Sequence, residues 1–383
     1  TLEYAALLAA KAFFWWSWPE GRGEHELLDA LRGAREAVRI TEALDDPGGA
    51  SEALDALGNV LATTTDLRGY LDSQARRLHW AERIDDQREL VDIHVEVSSA
   101  RTLVGDYALA IEHLGTARLV AEAADADPLR MHVLRAMVLA YFEWDHWSDA
   151  LRVGGDLLAT SAHVEVRHSS THLWALLALA VIDARTGRRE EAEALVRRVS
   201  ELTTSATPQF LEVMRGRVAL ARGATREARQ IWLAATEARS GRQALAALQA
   251  EEAELAARSG DRHLYERIGA QAIELGWRSG ARKPLAQALR ARGIVALGER
   301  RWDDALTDLQ NALARNRELG TAWEEGRTRY ALAGLYQRRA ADGDDALARN
   351  ELDRARELFE RLRAVRDIAR VRSALAGGEV RLP

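Results

Sequence analysis

The chain has 383 residues, of which 47% are hydrophobic and 29% charged, and its formal net charge is −6. This composition excludes a disordered chain, and the negative charge argues against direct nucleic-acid binding, which needs clustered positive charge. The absence of cysteine excludes disulfides, thiol catalysis and cysteine-based zinc sites. Long stretches of Ala, Leu, Arg and Glu favour helix, whereas alternating β-branched runs are nearly absent. We therefore predict an all-α protein.

The first 84 residues are predicted to form irregular helical hairpins. Residues 2–18 with 25–44, and 51–64 with 67–84, have the length of helix pairs but match a repeat pattern poorly. The first helix carries an aromatic cluster, which is either the core of an irregular hairpin or an interface with an absent N-terminal domain, a ligand or a second copy. This cluster consists of Phe13, Phe14, Trp15, Trp16 and Trp18.

The same N-terminal stretch does not predict a membrane segment. The apolar residues from Tyr4 to Trp18 are interrupted by Lys11 and are fewer than the ~20 residues that a membrane-spanning helix needs. No targeting segment is recognisable. We therefore expect a cytoplasmic protein without a membrane partner, and we expect the chain, which opens at Thr1, to be a piece of something longer.

Residues 85–362 are predicted to form an array of repeated helix pairs. Turn residues recur roughly every 39 residues, a period typical of helical repeat arrays. Small residues recur between the turns, as Gly293 and Ala305 do on either side of Trp302. Such small side chains let two helices cross closely. The predicted turn centres are Gly105, Asp145, Gly187, Gly223, Gly260 and Arg300.

The small-residue pattern between Ala288 and Leu319 resembles the tetratricopeptide repeat. This resemblance implies a right-handed superhelix of antiparallel helix hairpins, an α-solenoid, in which the first helix of each hairpin lines the concave surface. Partial matches elsewhere bring the count to about nine hairpins, each stabilised by stacking on its neighbours. Residues 363–383 are predicted to form a C-terminal capping helix and tail.

The sequence from Gly320 to Leu375 is similar to the C-terminal helical repeats of large bacterial signalling ATPases. These include the MalT-like LuxR-family activators and the ATPase-linked nucleotide cyclases. The resemblance implies a sensor or scaffold region in signal transduction or transcription regulation, attached to an N-terminal nucleotide-binding domain. We expect that domain outside this chain, because the chain has no Gly-x-x-x-x-Gly-Lys-Ser/Thr loop. No helix-turn-helix is recognisable after Leu375.

The motifs do not predict an enzyme. Neither His-Glu-x-x-His nor Gly-x-Ser-x-Gly occurs. Glu165, His168 and His172 have the spacing of metal ligands on one helical face, but no obvious fourth ligand is near them. We interpret these three residues as a polar stripe, and paired carboxylates such as Asp303 and Asp304 as helix caps. We predict no metal and no cofactor.

What remains is a binding function on the concave face. Mixed charge over an aromatic floor suits a protein, a peptide or a small effector. The alternative is a self-assembling structural adaptor that uses the aromatic cluster and has no small ligand, and the sequence leaves the oligomeric state open. The predicted groove residues are Asp92, Glu96, Ser99, His132, Arg135, Trp174, Phe210, Arg217, Glu251, Glu254 and Arg290.

Overall fold

The computed structural model describes residues 1–17, 24–64, 66–161, 170–202, 209–237 and 245–380. Within these ranges the chain forms nineteen α-helices and no strand. The helices pair as antiparallel hairpins that stack into a right-handed superhelix. This architecture confirms the predicted all-α solenoid.

Nine hairpins follow one another through the described ranges, and a single helix comes after them. The division of the chain at residues 84 and 362 stays a prediction. In chain order the helices are α1 (Leu2–Ser17) with α2 (Glu24–Ala43), α3 (Pro47–Thr63) with α4 (Leu67–Ala81), α5 (Gln87–Val104) with α6 (Tyr107–Ala123), α7 (Asp127–Glu143) with α8 (Trp147–Ser161), α9 (Ser170–Arg185) with α10 (Arg189–Leu202), α11 (Gln209–Arg222) with α12 (Thr225–Glu237), α13 (Leu245–Ser259) with α14 (Arg262–Ser279), α15 (Arg282–Gly298) with α16 (Trp302–Leu319), α17 (Ala322–Arg339) with α18 (Asp344–Leu362), and α19 (Val365–Leu375).

All six predicted turn centres have left-handed backbone conformations. Four are glycines, which adopt positive φ without steric cost. The other two are Asp145, with a φ of 60°, and Arg300, with a φ of 58°. Asp tolerates this region better than most side chains do, because its short polar side chain bonds locally. The turn pattern in the sequence therefore reflects a need for positive φ in the turns of these six hairpins.

Glycines inside the helices bring the two helices of a hairpin together. A Cβ atom added at Gly216 would lie 2.0 Å from Nε1 of Trp232, and one added at Gly293 would lie 2.8 Å from Cγ of Leu309. In both hairpins a large side chain of the second helix occupies the space that glycine leaves on the first. Close crossing at small residues, as predicted, is thus observed in these two units.

The apolar core has two main parts. The larger part is continuous from Val91 in α5 to Val380, beyond the last helix. Helices α1–α4 pack around a separate cluster that extends from Ala5 to Tyr70 and includes Ala100 of α5. No helix in the described ranges has the length and apolar composition needed to cross a membrane.

The superhelix closes on itself. Arg282, at the start of α15, donates from Nε to the carbonyl of Val104, 178 residues earlier, at 2.8 Å. The backbone nitrogen of Trp323 donates to Oδ2 of Asp145 at 2.9 Å, so Asp145 caps α17 from a different hairpin. These long-range pairs, here named the closure contacts, are Arg282 with Val104 and Asp106, Lys283 with Glu143 and Asp145, Trp323 with Asp145, and Arg366 with Ala221.

Candidate functional site

The odd-numbered helices project charged side chains into the interior of the superhelix. Arg290 of α15 lies between Glu254 of α13 and Glu324 of α17, and its Nη2 is 2.7 Å and 2.6 Å from their carboxylate oxygens. All three side chains are almost fully buried. Arg327 adds a second cation, with Nη2 at 2.6 Å from Oε1 of Glu254. Buried charges of this kind are tolerated only when they are paired and hydrogen-bonded.

A second set of ion pairs continues this arrangement. Arg217 contacts Glu143 and Glu251, each at 2.8 Å, and Nζ of Lys283 is 3.2 Å from Oε2 of Glu143 and 3.6 Å from Oδ1 of Asp145. Side chains from α7, α11, α13, α15 and α17 thus meet in one interior region. We name it the inner charge network, which consists of Glu143, Asp145, Arg217, Glu251, Glu254, Lys283, Arg290, Glu324 and Arg327.

Neighbouring cations lower the pKa of two carboxyl groups in the network. Burial on its own would raise the pKa of Glu143, but Lys283 and Arg217 lower it to about 2. Burial is also outweighed at Glu324, where Arg290 and Arg327 lower the carboxyl pKa. The pKa of Asp145 is raised by burial, in spite of the opposing charge of Lys283. The ion pairs thus favour the charged forms of Glu143 and Glu324, and they connect the helices that carry them.

A cavity of ≈ 80 Å³ lies beside the network, between α9, α11, α13, α15, α17, α18 and α19. The guanidinium of Arg185 stacks over the ring of Trp323 at 3.4 Å from the centroid, and that of Arg327 lies 4.3 Å from it. Nε1 of Trp323 donates to Oδ2 of Asp367 at 3.0 Å. We name this cavity the inner pocket. Its charged lining residues are Arg185, Arg217, Glu251, Glu254, Arg258, Arg290, Arg327, Arg366, Asp367 and Arg370.

Several of the predicted groove residues lie nearer the N-terminus, in a second polar group. Arg77 of α4 contacts Oδ2 of Asp92 at 2.7 Å, and Asp92 lies 3.4 Å from Nε2 of His132. Nδ1 of His132 is 2.8 Å from Nη2 of Arg135. Oε2 of Glu96 accepts a hydrogen bond of 2.6 Å from the hydroxyl of Tyr70. These contacts join α4, α5 and α7.

The structure therefore divides the predicted groove. It brings Arg217, Glu251, Glu254 and Arg290 together in the inner charge network, whereas Asp92, Glu96, His132 and Arg135 belong to the N-terminal polar group. Ser99 and Trp174 are half-buried on α5 and α9, and the side chain of Phe210 lies outside the described residues. Whether any of them binds a ligand stays a prediction.

Sequence reasoning missed ten of the fourteen charged residues in the inner charge network and the inner pocket. The residues it did not propose for the groove are Glu143, Asp145, Arg185, Arg258, Lys283, Glu324, Arg327, Arg366, Asp367 and Arg370. One signal was available, because Lys283 is one of only two lysines in a chain rich in arginine. Most of the others sit near helix ends, where the repeat pattern does not show that distant hairpins meet.

The predicted aromatic interface is partly described. Phe13 and Phe14 are 45% and 58% exposed, as is much of the same helix at Tyr4 and Leu7. Trp15 is half-buried against the N-terminal core. The side chain of Trp16 and all of Trp18 lie outside the described residues.

Of the three residues with the spacing of metal ligands, the structure describes only His172. Glu165 and His168 lie outside the described residues. His172 is fully buried, and neither of its ring nitrogens has a hydrogen-bond partner in the described part of the chain. No group of three potential metal ligands occurs among those residues.

Comparison with known proteins informs the fold alone. No family model matches the sequence, and no curated protein does. A chain of the APC/C hetero-tetramer Cut9–Hcn1 superposes with a TM-score of 0.60 at 14% identity, over 96% of this chain and 69% of that one. Weaker matches are a Rap protein complexed with competence and sporulation factor (TM-score 0.45, 11% identity, 98% of this chain and 97% of that one) and a tetratricopeptide repeat protein from Parabacteroides merdae (0.39, 15%, 83% and 98%). The fold is a tetratricopeptide-like helical repeat.

Proposed function

We propose that the protein is a non-catalytic interaction module that binds a partner, a peptide or a small effector on its inner face. The observation that carries this proposal is the convergence of charged side chains from six helices on the inner pocket. Small-molecule sites are concave and combine apolar walls with a few convergent polar groups. The inner pocket has this character, with Trp323, Tyr330 and Phe359 beside its arginines.

The closure contacts supply a mechanism by which binding changes the rest of the molecule. A ligand shifts a conformational equilibrium only if it binds one state better than the other. The inner pocket is lined by residues of α9, α11 and α13 and by residues of α17 and α19, which come later in the chain. A ligand that contacts both groups of residues favours the closed superhelix and stabilises the closure contacts.

We further propose that this module is the sensor region of a larger bacterial signalling or transcription-regulatory protein. The similarity of Gly320–Leu375 to the repeats of signalling ATPases supports this context. In such a protein, closing or opening of the superhelix would bias an attached N-terminal nucleotide-binding domain.

Ligand screening with a pocket-filling variant tests the site. Short peptides and small metabolites are assayed for a rise in melting temperature, which reports binding to the folded state. Ala221 lines the inner pocket, so Ala221→Phe fills it without removing a charge. The matched control is Ala314→Phe on the exposed surface of α16. Ligands that stabilise the control but not Ala221→Phe support the proposal; ligands that stabilise both variants equally contradict it.

Spin-label distances test the mechanism, and the cysteine-free chain makes the labelling straightforward. One label replaces Leu109 on α6 and the other Arg317 on α16, both exposed residues that flank the closure contact at Arg282. We expect a pocket ligand to narrow the distance distribution of this pair. A control pair at Arg349 and Glu360, within α18, should not respond. A ligand that binds the pocket and leaves the first distribution unchanged would rule out the sensor mechanism.

The alternative function is self-assembly through α1, favoured by the apolar residues that this helix exposes. Tyr4, Leu7 and Phe14 are 52%, 66% and 58% exposed, and exposed apolar patches mark interaction sites. Sedimentation velocity over a wide concentration range tests this candidate. Dimers that disappear in Leu7→Ser/Phe14→Ser would support it, whereas a strict monomer would exclude it.

A further inference from the structure

We propose that the inner pocket binds a compact oxyanion, namely a phosphoryl or carboxylate group of a small ligand, through Arg185 and Arg366. This inference rests on the proposed function, which places ligand binding in the same pocket, and it adds the chemical class of the ligand. It follows from three properties of the pocket, which are its charge, the orientation of its arginines and its size.

The lining carries more cations than anions. Seven arginines line the pocket, against three acidic residues. Two carboxylates outside the lining, Glu143 and Glu324, neutralise part of this excess. The acidic residues are already used, because Glu251 pairs with Arg217, Glu254 with Arg290 and Arg327, and Asp367 with Arg370. Within the described residues, neither Arg185 nor Arg366 has a carboxylate oxygen within 4.0 Å. An anion bound in the pocket would therefore give these two arginines a partner of opposite charge.

Arg185 is oriented by stacking instead of by an ion pair. Its guanidinium lies over Trp323 at 3.4 Å and is 5.3 Å from the ring of Trp147. A stacked guanidinium keeps its N–H groups at its edge, where they are available for hydrogen bonds in the plane of the group. Desolvation by burial lowers the pKa of Arg185 to about 10, and the group is still charged at neutral pH. An anion would compensate this buried charge.

Arg366 occupies the other side of the pocket. Its Nη1 donates to the carbonyl of Ala221 at 3.3 Å, and this contact places the guanidinium against Gly223. A Cβ atom at Gly223 would lie 2.1 Å from the same nitrogen. Glycine at this turn thus leaves room for the side chain that reaches across from α19. Two arginines from distant parts of the chain therefore converge on one cavity.

The size of the cavity suits a small group. Its volume of ≈ 80 Å³ is well above the ~10–15 Å³ that one water molecule needs. A phosphoryl or carboxylate group therefore fits this space. Two guanidinium groups already lie over the ring of Trp323, so an aromatic ligand cannot stack on this ring. The remaining recognition elements are the N–H groups of arginine, which match oxyanions.

Isothermal titration calorimetry at constant ionic strength tests the inference on the full chain. The probes are inorganic phosphate, pyrophosphate and citrate, with chloride as the background anion. We expect at least one probe to bind, and we expect at least tenfold weaker binding by Arg185→Gln and by Arg366→Gln. The control is Arg361→Gln, an exposed residue of α18 outside the pocket, which should bind as the wild type does. Preference for pyrophosphate or for citrate distinguishes a phosphoryl from a carboxylate ligand.

Two results would overturn the inference. One is that none of the three anions binds at millimolar concentration, and the other is that a folded Arg366→Gln binds as tightly as the wild type. Because Arg366 is exposed at the pocket edge, its variant should fold even if Arg185→Gln does not. Failure of the anions, combined with an uncharged ligand that is lost in Ala221→Phe, would refute the oxyanion and leave the proposed function standing.

Discussion

Arg290 shows how a charged residue can stabilise an interior position. Its side chain is 1% exposed and contacts Glu254 and Glu324, with a further bond of 3.1 Å to the hydroxyl of Thr328. A buried ion pair contributes little net stability over an apolar pair, but removing one partner leaves an uncompensated charge. Arg290 is therefore a position where the consequence of substitution is large and its cause specific.

We predict that Arg290→Met destabilises the protein by about 3–5 kcal/mol, because two buried carboxylates lose one of their two shared cations and keep only Arg327. The matched control is Arg39→Met on α2. Arg39 makes an equally short pair with Glu36, at 2.6 Å, but the two side chains are 70% and 39% exposed, and we expect a much smaller loss. Urea denaturation measures both values. Equal losses would show that burial of the pair is not the cause.

We predict that His172 makes the free energy of unfolding depend on pH in the acidic range. Burial, with help from the charges of Arg135 and Arg198, lowers the pKa of His172 to about 4. Since the unfolded residue takes up a proton near pH 6.5, the folded state loses stability as the pH falls from 6.5 towards 4, by up to about 3 kcal/mol. We expect His172→Leu to remove this part of the pH dependence.

The measurement is the free energy of unfolding of both proteins at pH 7 and at pH 5. Asp55 and Asp183 act in the opposite direction, because burial raises the pKa of each to about 6. Both are present in the variant as well as in the wild type, so the difference between the two proteins isolates His172. An unchanged pH dependence in His172→Leu would contradict the prediction.

At the scale of helices, some helical glycines let the two helices of a hairpin pack closely, whereas others make no close contact and only weaken their own helix. We predict that Gly216→Ala destabilises by about 1–3 kcal/mol, because the new methyl group would displace Trp232. This ring is buried and its Nε1 donates to the carbonyl of Val213 at 3.2 Å. Gly115→Ala in α6 meets no atom within 4 Å and should stabilise by about 0.5–1 kcal/mol.

Thermal denaturation of the two variants measures this contrast. The same chemical change is made in both helices, so helix propensity alone predicts stabilisation in both. Stabilisation by Gly216→Ala would mean that the hairpin tolerates a wider crossing than the structure has.

The long-range contacts of helices α15 and α17 could not be predicted from the sequence. The turns and the small residues recur locally, so the hairpins could be predicted from residues close in the chain. Both helices are buried on nearly every side, although they carry charged residues such as Lys283 and Glu324. Lys283 pairs with Glu143 and Asp145, at the end of α7 and in the turn after it. Asp145 also accepts a hydrogen bond from the backbone nitrogen of Glu324. These contacts span more than a hundred residues, and a local repeat pattern contains no information on them. The charged interior was therefore predicted only where side chains follow the repeat spacing, as at Arg217 and Glu254.

At the scale of the molecule, the closure contacts set its outer dimensions. We predict that Arg282→Gln/Lys283→Met opens the superhelix, because both cations hold the start of α15 to the ends of α5 and α7. Small-angle scattering should then give a larger radius of gyration, with helix content retained in circular dichroism. The control is Arg278→Gln, whose side chain is 77% exposed and pairs with Glu274 of its own helix. An unchanged radius for the double variant would show that apolar packing alone keeps the molecule closed.

Asp145, which caps α17 from another hairpin, has a consequence for the modularity of the array. In most solenoids each unit depends on its immediate neighbours, so units can be removed from an end with a roughly additive loss. Here the turn after α7 satisfies backbone groups of α17, and deleting the terminal hairpins would remove the partner of a middle unit. The protein should therefore melt as one cooperative block over this span, and engineering that shortens it unit by unit would fail well before the array became short.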